Sequence, residues 1–231
     1  MKIGSSHVWN PSMEGDTLRY WLQHNSNLTL VGDQVQHWSS AVTGSTERWS
    51  QATETNRPIV VTEGTGALGG VDFDGNDNYL TGTQLTLTGT YVLGVRFKIE
   101  DDVAGNDVLV GDLSSANNFV RINNTSQIGI KHSSSQKVFD MNSGAIFDQD
   151  SAYSLVIGRS GDDVISIWVD GVLQSDTETA AGNFLLDGLG ARSGITNYFS
   201  GVIFEVCIFK DTYSTRLAEN LSGHLMSLKI D

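Results

Sequence analysis

Apolar residues recur at every second position through much of the chain. Tyr91, Leu93, Val95, Phe97 and Ile99 form the longest clean alternation, interleaved with Val92, Gly94, Arg96 and Lys98. A period of two puts the sets on opposite faces of a strand, one facing a core and one wetter. Ile165, Ile167 and Val169 alternate in the same way with Ser166, Trp168 and Asp170. Asp170-Gly171 separates that run from the next, over 172–177. An Asp-Gly pair between apolar runs predicts a type I′ turn, because both central residues accept positive φ. Ser160-Gly161-Asp162-Asp163 links back to a strand over 153–159, so three consecutive antiparallel strands are expected. Near the end, Val202, Phe204, Val206 and Ile208 are expected on one face, with Ile203, Glu205, Cys207 and Phe209 on the other.

Shorter strand-like runs at 18–22, 28–31, 34–38, 59–62, 70–74, 108–110, 119–123, 127–131, 137–141, 184–186 and 189–192 are separated by Ser, Asn and Gly clusters. The polar stretch 39–56 reads as a long surface loop anchored by Trp49. Only the tail changes period. Leu217, Leu221, Leu225 and Leu228 fall on one helical stripe, which predicts an amphipathic helix over 214–228 with Ser214 or Thr215 as its cap. That helix is expected against the sandwich edge. Many short strands and one helix predict an all-β fold, a two-sheet antiparallel jelly-roll sandwich with one C-terminal amphipathic helix. Residues 18–231 read as a single domain, and the polar residues 1–17 as an N-terminal arm, with a turn expected at Asn10-Pro11.

The chain has 231 residues, 25 of them Gly and 2 Pro, and a formal net charge of −13. Such a charge argues against a nucleic-acid partner, which needs clustered Lys and Arg, and against attachment to anionic lipid. The N-terminus carries no apolar stretch of signal-peptide type, and no run reaches the roughly 18 apolar residues of a membrane span. Synthesis in a cytoplasm is expected. The single cysteine, Cys207, excludes an internal disulfide and reads as a buried thiol in an apolar strand.

Several stretches bear on chemistry. Gly64-Thr65-Gly66-Ala67-Leu68-Gly69 matches G-x-G-x-x-G, but the alternating run from Gly70 to Asp74 follows where a dinucleotide site needs a helix. The five histidines show neither i,i+4 pairing nor a cysteine cluster, so no transition-metal site is expected. Asp72, Asp74 and Asp77 are the candidate metal ligands; calcium, which takes six to eight oxygens, is the ion they would suit. The plainer reading is a solvated acidic turn. Among five tryptophans, Trp168, with Asp170 on the same face, is the candidate sugar platform, and core packing is the alternative.

Three stretches, Val71 to Leu80, Ile165 to Gly171 and Phe199 to Leu228, resemble the laminin-G-like, concanavalin A-like lectin/glucanase superfamily of the phage and marine-bacterial type. Gly223-His224-Leu225 and Lys229 fit the family's closing helix, with His224 where members carry Tyr and without their tryptophan. The resemblance implies the jelly-roll fold and gives Glu205 the position of a structural glutamate that accepts loop or backbone hydrogen bonds. Glucanases of this fold carry alternating acids along one strand, a pattern no strand here shows, so no enzymatic activity is expected. The expected function is that of a phage virion accessory protein: a capsid decoration protein or a head or tail appendage, made in the host cytoplasm and displayed on the virion. Its partners would be the major capsid or tail proteins and neighbouring copies of itself. The alternative is a carbohydrate-binding module that recognises a host-surface glycan. A hydrolase or lyase with an unfamiliar site is a third possibility.

Overall fold

The computed structural model describes residues 9–24, 26–61, 69–101, 107–133, 135–142, 147–194 and 196–228. The strands are β1 (Leu18–Leu22), β2 (Leu28–Val31), β3 (Gln34–Ser39), β4 (Arg48–Ser50), β5 (Ile59–Val61), β6 (Gly70–Asp74), β7 (Leu80–Leu87), β8 (Tyr91–Ile99) and β9 (Asp107–Gly111). They continue as β10 (Phe119–Asn124), β11 (Gln127–His132), β12 (Ser135–Asp140), β13 (Ala152–Arg159), β14 (Val164–Val169), β15 (Val172–Leu173), β16 (Glu178–Thr179), β17 (Phe184–Leu189) and β18 (Ser200–Lys210). One helix, α1 (Thr215–Ser227), closes the described chain.

All named pairings are antiparallel, and they form two layers. In the first, β18 lies between β8 and the pair β1 and β6, and the layer continues through β13 and β14 to β15 and β16. The second runs β2, β3, β4, β7, β17, β9, β10, β11, β12. β5 bridges them at one corner by pairing with both β3 and β6. Between the layers lies the main core, with Leu93, Val95, Phe97, Leu155, Ile157, Ile165 and Ile167 from one side and Val120, Ile122, Ile128, Ile130, Phe184 and Leu186 from the other. The 160–163 turn and the Asp170-Gly171 turn are where the pattern puts them, and both central residues of the latter have positive φ, 45° and 78°.

Two expectations change. α1 packs on the outer face of the first layer, against β8, β13 and β14, rather than on its edge. Leu217, Ala218, Leu221, Leu225 and Leu228 cover Val92, Val156, Trp168, Cys207 and Phe209 to make a second core. Each buried leucine contributes about 2 kcal/mol of transfer free energy, so the stripe holds the helix far more strongly than intrinsic propensity does. Gly94 is small for this reason: a Cβ there would lie 2.6 Å from a Leu221 methyl and 2.9 Å from one of Leu225. Strict alternation also fails in β18. A register shift between Ile203 and Glu205 lets Ile203 join Val206 and Ile208 in the main core, while Glu205, Cys207 and Phe209 face the helix side.

Residues 9–17 belong to the body of the fold. Asn10 caps a 3₁₀ segment at Pro11–Thr17, and the Trp9 ring meets Phe209 and His224 at centroid distances of 6.4 and 6.0 Å. Residues 1–8 of the expected arm lie outside the described residues. Within the 39–56 stretch, β4 places Trp49 in the core at 1% exposure, the anchor its sequence suggests. Most of the G-x-G-x-x-G motif, 64–68, lies outside the described residues.

Candidate functional site

The candidate sugar platform is not at the surface. Trp168 is 1% exposed beneath α1, so its ring has no face for a ligand. Alternation made Trp168 and Asp170 outward-facing on β14, but the outward face is roofed by the helix. Asp170 serves the turn. One carboxylate oxygen accepts the Ser154 backbone N–H at 2.7 Å and the Arg96 guanidinium at 3.4 Å.

The acidic turn after β6 also serves itself. Asp74 Oδ1 accepts the backbone N–H groups of Asn76, Asp77 and Asn78 at 3.0, 3.2 and 3.2 Å. Burial pushes its carboxyl up, and these donors more than reverse that, leaving it below the usual range. Asp72 faces Glu100 instead; burial first, then the charges of Glu100 and Asp74 and a hydrogen bond to Glu100, raise it to about 6. Among the described residues, Asp72, Asp74 and Asp77 do not form a metal-holding cluster, nor does any other group of three His, Cys, Asp or Glu.

Glu205 is buried and structural, but its partners are side chains rather than loop backbone. Oε1 accepts Trp21 Nε1–H at 2.8 Å and pairs with His224 Nε2 at 2.6 Å, while Oε2 meets His24 Nδ1 at 3.1 Å. Burial alone would raise its pKa; His224, His24 and Trp21 outweigh it and hold the group down to about 2. Cys207 beside it is pushed up by burial and by this carboxylate, an inert thiol. The knot joins β1, the following turn, β18 and α1.

The open site lies elsewhere, in a cleft of about 580 Å³ between the 11–17 segment and the loop 42–47. Gly15, at φ 57° and ψ −132°, ends the first 3₁₀ turn and bends the chain. Opposite, Ser40 N–H bonds to Glu47 C=O at 2.9 Å and Ser45 N–H to Val42 C=O at 3.0 Å, closing the loop on itself. Ala41 N–H to Trp21 C=O at 2.7 Å fastens the loop to β1, and Gly44 at φ 77° makes its tip. Leu18 and Val42 form an apolar strip in a lining of Ser12, Thr43, Ser45 and Thr46 hydroxyls, the Asp16 and Glu47 carboxylates and the Arg19 guanidinium. Tyr20 O–H donates to Glu47 Oε2 at 3.1 Å and positions it from below. A smaller recess of about 340 Å³ shares Thr46 and Glu47 and continues past Arg48, Ser50, Thr81 and Thr83. From sequence these residues read as arm and loop; the run of hydroxyls around Gly44, at Thr43, Ser45 and Thr46, was the available signal.

No family model and no curated protein matches the chain. Its fold is similar to the binding domain of Paraclostridial mosquitocidal protein 1, at TM-score 0.61 and 10% identity over 90% of this chain and 52% of that one. It is also similar to Trypanosoma rangeli sialidase, at TM-score 0.59 and 13% identity over 93% of this chain and 34% of that one. A pentraxin from Limulus polyphemus shares the fold at TM-score 0.51 and 12% identity, over 65% of this chain and 80% of that one. The chain thus spans about half of the toxin domain and a third of the sialidase. At such identities the likeness concerns the sandwich alone.

Proposed function

We propose that the protein is a non-enzymatic, lectin-like module that recognises glycan through the cleft between the 11–17 segment and the 42–47 loop. The lining of that cleft carries the proposal. Sugar hydroxyls donate and accept at once, and a site for them needs convergent hydroxyls, carboxylates and guanidinium around a small apolar strip. Asp16, Arg19, Glu47 and the Ser12–Thr46 hydroxyls supply the polar groups, and Leu18 with Val42 the strip. The loop is closed by its own hydrogen bonds before any ligand arrives, so little ordering entropy is lost on binding. A neutral-glycan array read with the parent, Asp16→Asn and Arg19→Gln tests it. Binding that both exposed-residue variants weaken about tenfold, with melting unchanged, supports the reading. Absence of any array signal from the folded parent would sink it.

A second reading places the module on a phage particle, as a capsid decoration protein or a head or tail appendage synthesised in the host cytoplasm. A row of exposed apolar side chains favours it. Val31 and Ile59 flank Gln34 across β2, β3 and β5, at 47% and 37% exposure, with Leu30 beside them at 40%. They lie outside the core and the cleft, on a hairpin where contact with a shell protein would leave the cleft's lining unused. Mass spectrometry of purified particles decides; a chain missing from the particle removes this reading and leaves the first intact.

A further inference from the structure

The outer face of the second layer gathers cations in a chain whose formal net charge is −13. Phe119 on β10 points outward, and the guanidinium carbons of Arg121 and Arg192 lie 5.2 and 5.0 Å from its ring centroid. Lys131 is its direct cross-strand partner on β11, and side chains so placed start about 5 Å apart. Two arginines thus stand at one ring, and a lysine shares its face of the sheet on the neighbouring strand.

Glycines on either side make this arrangement possible. Gly111, opposite Phe119 on β9, admits the segment that delivers Arg192; a Cβ there would lie 2.8 Å from Ala191 O and 2.9 Å from Arg192 Cβ. Gly129, opposite Arg121 on β11, keeps the other flank low; a Cβ there would meet Asn123 Oδ1 at 2.6 Å. Asn123 Oδ1 in turn accepts Arg121 Nε–H at 2.6 Å and fixes that side chain. Arg192 makes no ion pair among the described residues, and its buried Nε has no hydrogen-bond partner. Among the described residues, Asp112 bonds with Ser114 and Asn118, Asp187 accepts the Leu113 N–H, and Asp140 accepts from Gln127. Phe119, only 2% exposed, orients the guanidiniums and offers no stacking face of its own.

Gathered at one ring, the Arg192 and Arg121 guanidiniums repel each other, which lowers the pKa of Arg121 after burial, and an anion that meets both relieves that repulsion. Planar forks of N–H donors match carboxylate and sulfate oxygens. We propose that this face binds an oxyanion carried on a saccharide, a uronate carboxylate or a sulfate ester, with Arg192, Arg121 and Lys131 as donors. That the carrier is a saccharide rests on the glycan-binding reading above; the anion site does not. A nucleic-acid backbone is disfavoured because the rest of the acidic chain repels it along its length.

Titration calorimetry with a polyuronate oligosaccharide, a sulfated dextran oligosaccharide and neutral dextran of matched length tests the proposal and separates the two anions. Heat from one or both acidic oligomers is expected, with none from the neutral one. The affinity should fall several-fold between about 20 and about 200 mM salt, as exposed charge attraction is screened. Arg192→Gln, and Lys131→Gln as a surface variant that leaves the ring contacts alone, should each weaken binding about tenfold. Acidic oligomers that bind no better than dextran, or variants that keep the parental affinity while folded, overturn it. Asp16→Asn in the cleft should leave this binding unchanged. Loss in Asp16→Asn and not in Arg192→Gln would move the anion to the cleft and refute this face. Acidic binding without any neutral-glycan binding would refute the cleft and keep the face.

Discussion

Glu205→Gln removes the negative charge from the knot that joins Trp21, His24 and His224. In the folded protein this carboxyl sits at about 2, against 4.5 for the free group. A group depressed by folding stabilises the native state above its unfolded pKa, and that contribution disappears as pH falls toward the folded value. The difference between 4.5 and about 2, at about 1.4 kcal/mol per tenfold, corresponds to about 3 kcal/mol. Because Glu205 is 0% exposed, solvent screening takes little from it. Glutamine keeps one acceptor but turns an N–H₂ toward groups that donate, so the loss should be close to that full amount. Urea unfolding of parent and variant at about pH 7 should differ by about 3 kcal/mol, and the gap should close steadily below pH 4.5. Asp72 and Asp107, both raised to about 6 chiefly by burial, act in the opposite direction, but they are common to both proteins and cancel. A gap that is as wide at about pH 3 as at about pH 7, or that is below about 1 kcal/mol throughout, would refute the assignment of Glu205 as the charged centre of the knot.

Gly94→Val should cost about 1–3 kcal/mol by pushing α1 off the sheet, since the added atoms meet Leu221 and Leu225; thermal melting reads it. Trp168→Ala should cost about 3–5 kcal/mol in denaturant unfolding, yet leave glycan binding by the folded fraction unchanged, because the ring lies under the helix. Asp170→Asn, which tolerates φ of 45° but removes the charge beside the largely buried Arg96, should cost about 1 kcal/mol, and Asp170→Val clearly more because a β-branched residue also resists that φ; comparison of melting temperatures decides.

The sandwich was legible because its signals are local. Period-two runs such as 91–99 and the Asp170-Gly171 turn depend on neighbours within a few residues, and the leucine stripe of α1 depends on one helical turn. Which face of β14 meets solvent was not legible. Alternation shows that Trp168 and Ile167 point apart, but both directions are buried, one by the opposite layer and one by a helix that arrives 47 residues after Trp168. The same distance problem hid the knot. Glu205 with His224 spans 19 residues and Glu205 with His24 spans 181, and no spacing rule connects them. The family resemblance marked Glu205 as structural and marked His224 as a departure from the usual Tyr. In the structure the two residues meet, with His224 Nε2 at 2.6 Å from Glu205 Oε1. For Asp72, Asp74 and Asp77 the plainer reading, an acidic turn, is the one the hydrogen bonds favour. Carboxylates in a tight turn satisfy that turn's own N–H groups first, as Asp74 Oδ1 does for Asn76, Asp77 and Asn78.

The placement of α1 also narrows where a ligand can meet the molecule. A sandwich has two outer faces, and the first is closed by a helix whose leucines fill the relief around Gly94 and Trp168. The free edge of β12 is partly closed too. Lys137 reaches Glu178 at 3.3 Å, Asp140 N–H bonds to Asp176 at 3.0 Å, and Asn142 N–H bonds to Gln174 at 2.6 Å, all across to the other layer. Such stitching denies a passing strand the unpaired backbone it would need. What stays open is the second outer face, where Gly111 and Gly129 keep the surface low around cations, and the cleft formed by the N-terminal segment. The sites differ in chemistry, one cationic and shallow, the other mixed in charge and rich in hydroxyls. On the two proposals above, an acidic polysaccharide would meet the cationic face and a neutral one the cleft, and Arg192→Glu should abolish the first interaction while sparing the second.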